Sequence, residues 1–155
     1  MELVEWLKIY LCWKDKIEKT IKEIKETGNT LEVFYENKKE TFLTFNQLKE
    51  VKLDSLSEIK GICAENTEEN LLFLIKHWKD FSNYPKLQLI FVNLALGEKW
   101  IIFPATHAKI ADKDTLECGL RSMFDLANGN VREVKQKKQK QKMFEDVEDS
   151  EEIEE

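Results

Sequence analysis

From Lys86 to Phe103 the chain reads KLQLIFVNLALGEKWIIF, and Pro104 closes it. Leu87, Leu89, Ile90, Phe91, Val92, Leu94 and Leu96 follow one another with almost no polar break. A strand covered on both faces needs such a run, because neither face is left to water. Gly97 supplies a reversal, and Trp100, Ile101, Ile102 and Phe103 form a second apolar run. Pro104 ends it, since proline has no N–H to give a ladder. The run therefore predicts a hairpin whose first strand lies at the centre of a sheet, sandwiched between helices.

The rest of the chain can be read as elements that cover this strand. Leu3, Leu7, Tyr10, Ile17, Ile21 and Ile24 recur at steps of three, four and seven, with Trp6, Leu11 and Trp13 widening the stripe, so residues 2–27 read as one long helix stopped by Gly28 and Asn29. Leu31–Tyr35 and Thr41–Phe45 read as a β-hairpin, and residues 46–57 as a polar connection containing a helical turn. Glu58–Ala64 reads as a third strand in which Gly61 marks a bulge or a close approach. Asn66-Thr-Glu-Glu-Asn70 places a cap and acids ahead of Leu71, Leu74, Ile75, Trp78 and Phe81, which predicts a helix over 67–82. Strand, helix and the apolar strand 86–94 then make a β-α-β unit, which implies a parallel pair. A short helix over Ala105–Ala111 follows, and Asp114-Thr-Leu-Glu117 signals a last helix through Ala127, with Gly119 inside it read as the site of a close helix–sheet contact. The fold class is α/β (or α+β): a central mixed sheet of about five strands flanked by helices.

Charge divides the chain into two parts. Residues 132–142 hold six bases and one acid, residues 145–155 hold eight acids and no base, and the whole carries −6. The expected organisation is a single globular domain over 1–131, mildly acidic, and a tail over 132–155 with a basic part (132–143) and an acidic part (145–155). A net acidic body is a poor sequence-independent binder of phosphate backbones. The tail is too poor in apolar groups to order itself and is expected to be disordered or helical. Its Lys135, Lys137, Lys138, Lys140 and Lys142 suit a nucleic acid or an acidic partner, and Phe144 gives a partner protein something to bury. The 35% of charged residues, mostly Lys and Glu, also fits a heat-adapted surface. Cys12, Cys63 and Cys118 are odd in number and lie in apolar stretches, as buried thiols of a cytoplasmic protein do. The N-terminus has no basic leader and no apolar run is long enough to span a membrane, so a soluble intracellular protein is expected.

Several chemistries need motifs that this chain lacks. The glycines at 28, 61, 97, 119 and 129 are isolated, so neither a dinucleotide fingerprint nor a P-loop exists. Two histidines, His77 and His107, cannot build a His-rich metal site. His107, just past the second strand of the hairpin, is the best single candidate for a site, because strand ends face clefts. With Trp100 and Lys109 it would line the pocket of a small-molecule-binding regulatory domain.

The order helix, hairpin, strand with acid-x-Lys, crossover helix, strand, strand, helix is similar to the core of the PD-(D/E)XK nucleases. The resemblance implies a Mg²⁺-dependent nuclease in which Glu40 and Glu58 hold the ion and Lys60 polarises the attacking water. The Pro-Asp pair that names that family is absent, and Glu-x-Lys recurs at Glu23, Glu36, Glu50 and Glu133. The leading expectation is therefore a non-catalytic interaction or accessory protein with no cofactor, associated with nucleic acid through its tail and protein partners. A homodimer through the N-terminal helix belongs to the same reading.

Overall fold

The computed structural model describes residues 1–129. Six strands form one mixed sheet in sequence order: β1 Glu23–Thr27, β2 Thr30–Phe34, β3 Lys39–Phe45, β4 Ile59–Glu65, β5 Gln88–Asn93 and β6 Glu98–Ile102. β1, β2 and β3 form an antiparallel meander, β3, β4 and β5 run parallel, and β6 returns antiparallel. The α/β class holds, with six strands where about five were expected.

β5 explains itself by its surroundings. Leu89 and Phe91 enter one apolar cluster with Leu71, Leu74, Phe81, Leu116, Leu120 and Phe124, while Ile90 and Val92 enter another with Leu3, Leu7, Leu11, Leu31 and Val33. Helix α1, Leu3–Lys14, covers the second face. The first is covered by α2, Glu68–Lys76, α3, Trp78–Ser82, and α5, Lys113–Ala127, and the short α4, Pro104–Ile110, follows β6 directly. Three layers result, and every residue of β5 except Asn93 is buried.

The helix expected over 2–27 is half that length. Asp15 caps the turn that ends α1: its carboxylate accepts from the backbone N–H of Thr20 at 2.9 Å, from the Thr20 hydroxyl, and from the N–H of Ile21 at 2.8 Å. Lys19 there takes a left-handed φ of 53°. The chain turns back as β1, with Ile24 opposite Val33. Gly28 and Asn29 do not stop a helix; they are the two-residue turn between Thr27 and Thr30, and Gly28 at φ +61° suits the first central position of a hairpin turn.

The second hairpin pairs β2 with β3 as anticipated, and the connection to β4 contains one 3-10 turn at Leu48–Glu50 that buries Leu48 beneath α2. Asn70 holds this connection, accepting from Leu48 N–H and donating to the carbonyls of Asn46 and Glu65, each at 2.8 Å. Gly61 is the close approach expected of it: a Cβ there would lie 2.9 Å from two ring carbons of Phe42. The helix over 67–82 is broken at His77 into α2 and α3, with Thr67 capping Asn70 N–H. Asp112, rather than Asp114, caps α5 by accepting from Thr115 N–H at 2.9 Å. Gly119 makes no close contact with the sheet, since a Cβ there would meet nothing within 4 Å. Only Cys63 of the three cysteines is buried; Cys12 and Cys118 are exposed. Among the described residues no helix is long and apolar enough to cross a membrane.

Candidate functional site

α1 is amphipathic in an unusual sense. Leu3, Val4, Leu7 and Leu11 face the sheet and are buried. The opposite side of the helix should be polar in a free-standing domain, yet it carries Ile9 and Trp13, 58% and 67% exposed, with the exposed Cys12 beside them. Ile9 and Trp13 are four residues apart and therefore neighbours on the helix surface. Ile17, in the turn that Asp15 caps, is 93% exposed. A tryptophan left two-thirds in water costs roughly the transfer free energy of a large side chain, about 2–3 kcal/mol, that burial elsewhere would return. Scattered exposed apolar residues need no explanation, whereas a line of them containing Trp has the character of an interaction surface. Periodicity alone hid this face, because the apolar residues of both sides merged into one wide stripe.

A second feature is a cleft of about 710 Å³ at the end of the sheet where β3 and β4 finish. The start of α1, the Gly28–Asn29 turn and Phe45 enclose it, and Glu2, Glu50 and Glu65 lie on its rim. Carboxyl ends of parallel strands are where open α/β sheets bind ligands. Here Glu2, Glu50 and Glu65 line the cleft together with the first residues of α1, which makes it a poorer site for the anions that helix amides otherwise attract.

The residues singled out for a nuclease are partly brought together. Glu40 on β3 and Lys60 on β4 face each other across neighbouring strands, with Nζ 3.8 Å from Oε2. Burial first and the neighbouring Glu40 carboxylate second hold the Tyr35 phenol well above its ordinary range. Glu58 precedes β4 and is exposed. The pair sits at the amino ends of β3 and β4, opposite to the end where parallel sheets place ligands. Among the described residues no group of three or more His, Cys, Asp or Glu side chains is arranged to hold a metal ion.

Trp100 is a core residue, 3% exposed, stacked on Phe91 with ring centroids 4.6 Å apart. Its indole N–H is taken by Asn66. His107 lies on α4, half-buried, and its Nδ1 is enclosed without a hydrogen-bond partner; Lys109 is exposed. His77 rests on Phe73 and places Nδ1 3.2 Å from an Asp80 oxygen. The tail residues Lys135, Lys137, Lys138, Lys140, Lys142 and Phe144 lie outside the described residues. Comparison with protein-family models, with curated proteins and with solved structures finds no match for this chain.

Proposed function

We propose that this is a non-catalytic interaction or accessory protein whose docking surface is the outer face of α1. One observation carries the reading: Trp13 and Ile9 stand in water, side by side, on a helix whose other side already fills the core. Tryptophan is the residue most enriched among the few that dominate binding energy at interfaces. Nucleic-acid association, in this reading, comes through the basic tail and through partners, since the described body offers an acid-rimmed cleft rather than a basic groove.

Capture of partners by the full chain, compared with Trp13→Glu and Ile9→Glu, tests the reading. Both side chains are exposed, so the variants should melt with the wild type while losing their partners. Partners retained by both variants would remove α1 as the docking surface. A second reading, the Mg²⁺-dependent nuclease, is favoured by the facing of Glu40 and Lys60 on adjacent strands. It predicts nicking of plasmid or branched DNA that disappears in both Glu58→Ala and Lys60→Ala, and absence of cleavage on every DNA and RNA form with Mg²⁺ or Mn²⁺ would retire it.

A further inference from the structure

We infer that the outer face of α1 is covered by the same face of a second copy of this chain, packed antiparallel about a two-fold axis. The inference rests on the reading of that face as a docking surface and names its occupant. Along the face run Glu2 and Glu5, then Ile9, then Cys12 and Trp13, then Lys16 just past the helix, all exposed. Within the helix, steps of three and four keep Glu5, Ile9, Cys12 and Trp13 in one line, and Glu2 and Lys16 flank its two ends. One end of the line is acidic, the other basic and the middle apolar.

Such a line is complementary to its own reverse. A two-fold axis near its middle sets Ile9 against Cys12 and Trp13 of the second copy, and sets Glu5 beside Lys16 of the second copy twice over, as an isologous contact requires. A parallel pair would instead put acid on acid and base on base, which costs specificity energy rather than supplying it. Antiparallel helices also oppose their macrodipoles favourably. Glu2, Glu5 and Lys16 make no side-chain ion pair among the described residues, so their charges are available for this contact. One helix pair is a small interface, below the roughly 1,200 Å² of stable complexes, so the dimer is weak and depends on concentration and salt.

Sedimentation velocity of the full chain over a rising concentration series reads the association. The expected result is a shift from monomer to dimer, weakened about tenfold or more by Trp13→Ala. Glu5→Lys and Lys16→Glu each weaken it severalfold, and the double variant restores it, because only the antiparallel pairing brings these two charges together. In a Cys118→Ser background a short bismaleimide should join the two copies through Cys12. A chain that stays monomeric at every concentration, or a dimer indifferent to these substitutions, overturns the inference. So does a double charge variant that is as weak as its parents. A monomeric chain whose partner capture is nonetheless lost in Trp13→Glu sinks self-pairing and leaves the docking surface standing. A dimer with these properties whose partner capture ignores α1 supports self-pairing and removes the wider reading.

Discussion

The indole Nε1 of Trp100 donates to Oδ1 of Asn66 at 2.7 Å, inside the core, and this one amide ties three elements together. Asn66 follows β4 directly; its backbone N–H donates to Val92 O of β5, and its side-chain nitrogen donates to Phe124 O and to Asn128 Oδ1, each at 3.1 Å. Asn93, at the end of β5, donates to the same Asn128 oxygen and to Ala127 O. The last turn of α5 is thereby fastened to the ends of β4 and β5. Carbonyls at a helix terminus run short of intrahelical partners; here the Asn93 amide meets Ala127 O, and the buried Asn66 amide adds a second donor to Phe124 O, which also accepts from Asn128 N–H.

Asn66→Ala should destabilise the fold by about 2–4 kcal/mol, because it leaves the Trp100 N–H buried without a partner and removes the amide's bonds to Phe124 O and Asn128 Oδ1. Trp100→Phe keeps the stack on Phe91 and orphans only one acceptor, so a loss of about 1–2 kcal/mol is expected. Urea unfolding followed by circular dichroism measures both. Equal losses for the two variants would show that the amide's bonds to α5 contribute nothing.

Two glycines should respond oppositely to alanine. At Gly61 the new methyl meets the Phe42 ring at 2.9 Å and Gln88 Cγ at 3.0 Å, so the packed ring must shift, at about 1–3 kcal/mol. At Gly119 nothing stands within 4 Å and the backbone is helical, so alanine should gain about 0.5–1 kcal/mol from helix propensity. Melting temperatures of Gly61→Ala and Gly119→Ala check the pair; a fall in both would show that helix propensity does not govern position 119.

The corner after α1 should be sensitive to acid. Hydrogen bonds from the Thr20 hydroxyl and then the Ile21 N–H hold the Asp15 carboxyl below its usual range. A lowered folded-state value contributes stability that is present above the unfolded carboxylate range and is lost as pH falls through the lowered folded value. Asp15→Asn should therefore melt below the wild type at neutral pH, with the difference shrinking on acidification until the wild-type Asp15 carboxyl is protonated in the folded as well as the unfolded chain. Asp112, held low chiefly by the Thr115 hydroxyl, should behave in the same sense at the start of α5. A difference that stays constant across the titration would separate Asp15 from the corner's stability.

The layered fold was legible because β5 has no polar face to mislead: alternate residues enter opposite clusters, and a run that is apolar throughout requires that arrangement. The β-α-β unit and the β2–β3 and β5–β6 hairpins were legible for the same reason, their turn residues standing between apolar runs. The segment from Asp15 to Thr27 was not. Ile17, Ile21 and Ile24 are spaced by four and three, which fits a helix, and the intervening Lys and Glu fit either a helix or a half-exposed strand. What decides is Asp15 reaching Thr20 and Ile21, a contact with no periodicity. The exposed apolar face of α1 was hidden by the same ambiguity, since the sequence shows that Trp13 and Ile9 are apolar but not that Leu7 and Leu11 suffice to cover the sheet. Glu40 and Lys60 fall on adjacent strands, and nothing local reveals that they sit at the amino ends of those parallel strands.

The thiols give a reading of both layers in one experiment. Cys63 faces α1 from the middle of β4, and burial pushes its thiol up to about 12, so the reactive thiolate is scarce and inaccessible in the folded chain. Cys12 and Cys118 are exposed on α1 and α5. Ellman's reagent should therefore label two thiols of the native protein quickly and the third only at the rate at which α1 lifts from the sheet or the domain unfolds. Denaturant should accelerate that slow phase alone. Cys12 sits in the centre of the proposed self-pairing face, so its rate, and not that of Cys118, should fall as protein concentration rises. Rapid labelling of Cys63 without denaturant would mean that the α1 layer opens freely, and a Cys12 rate independent of concentration would leave its face uncovered by a second copy.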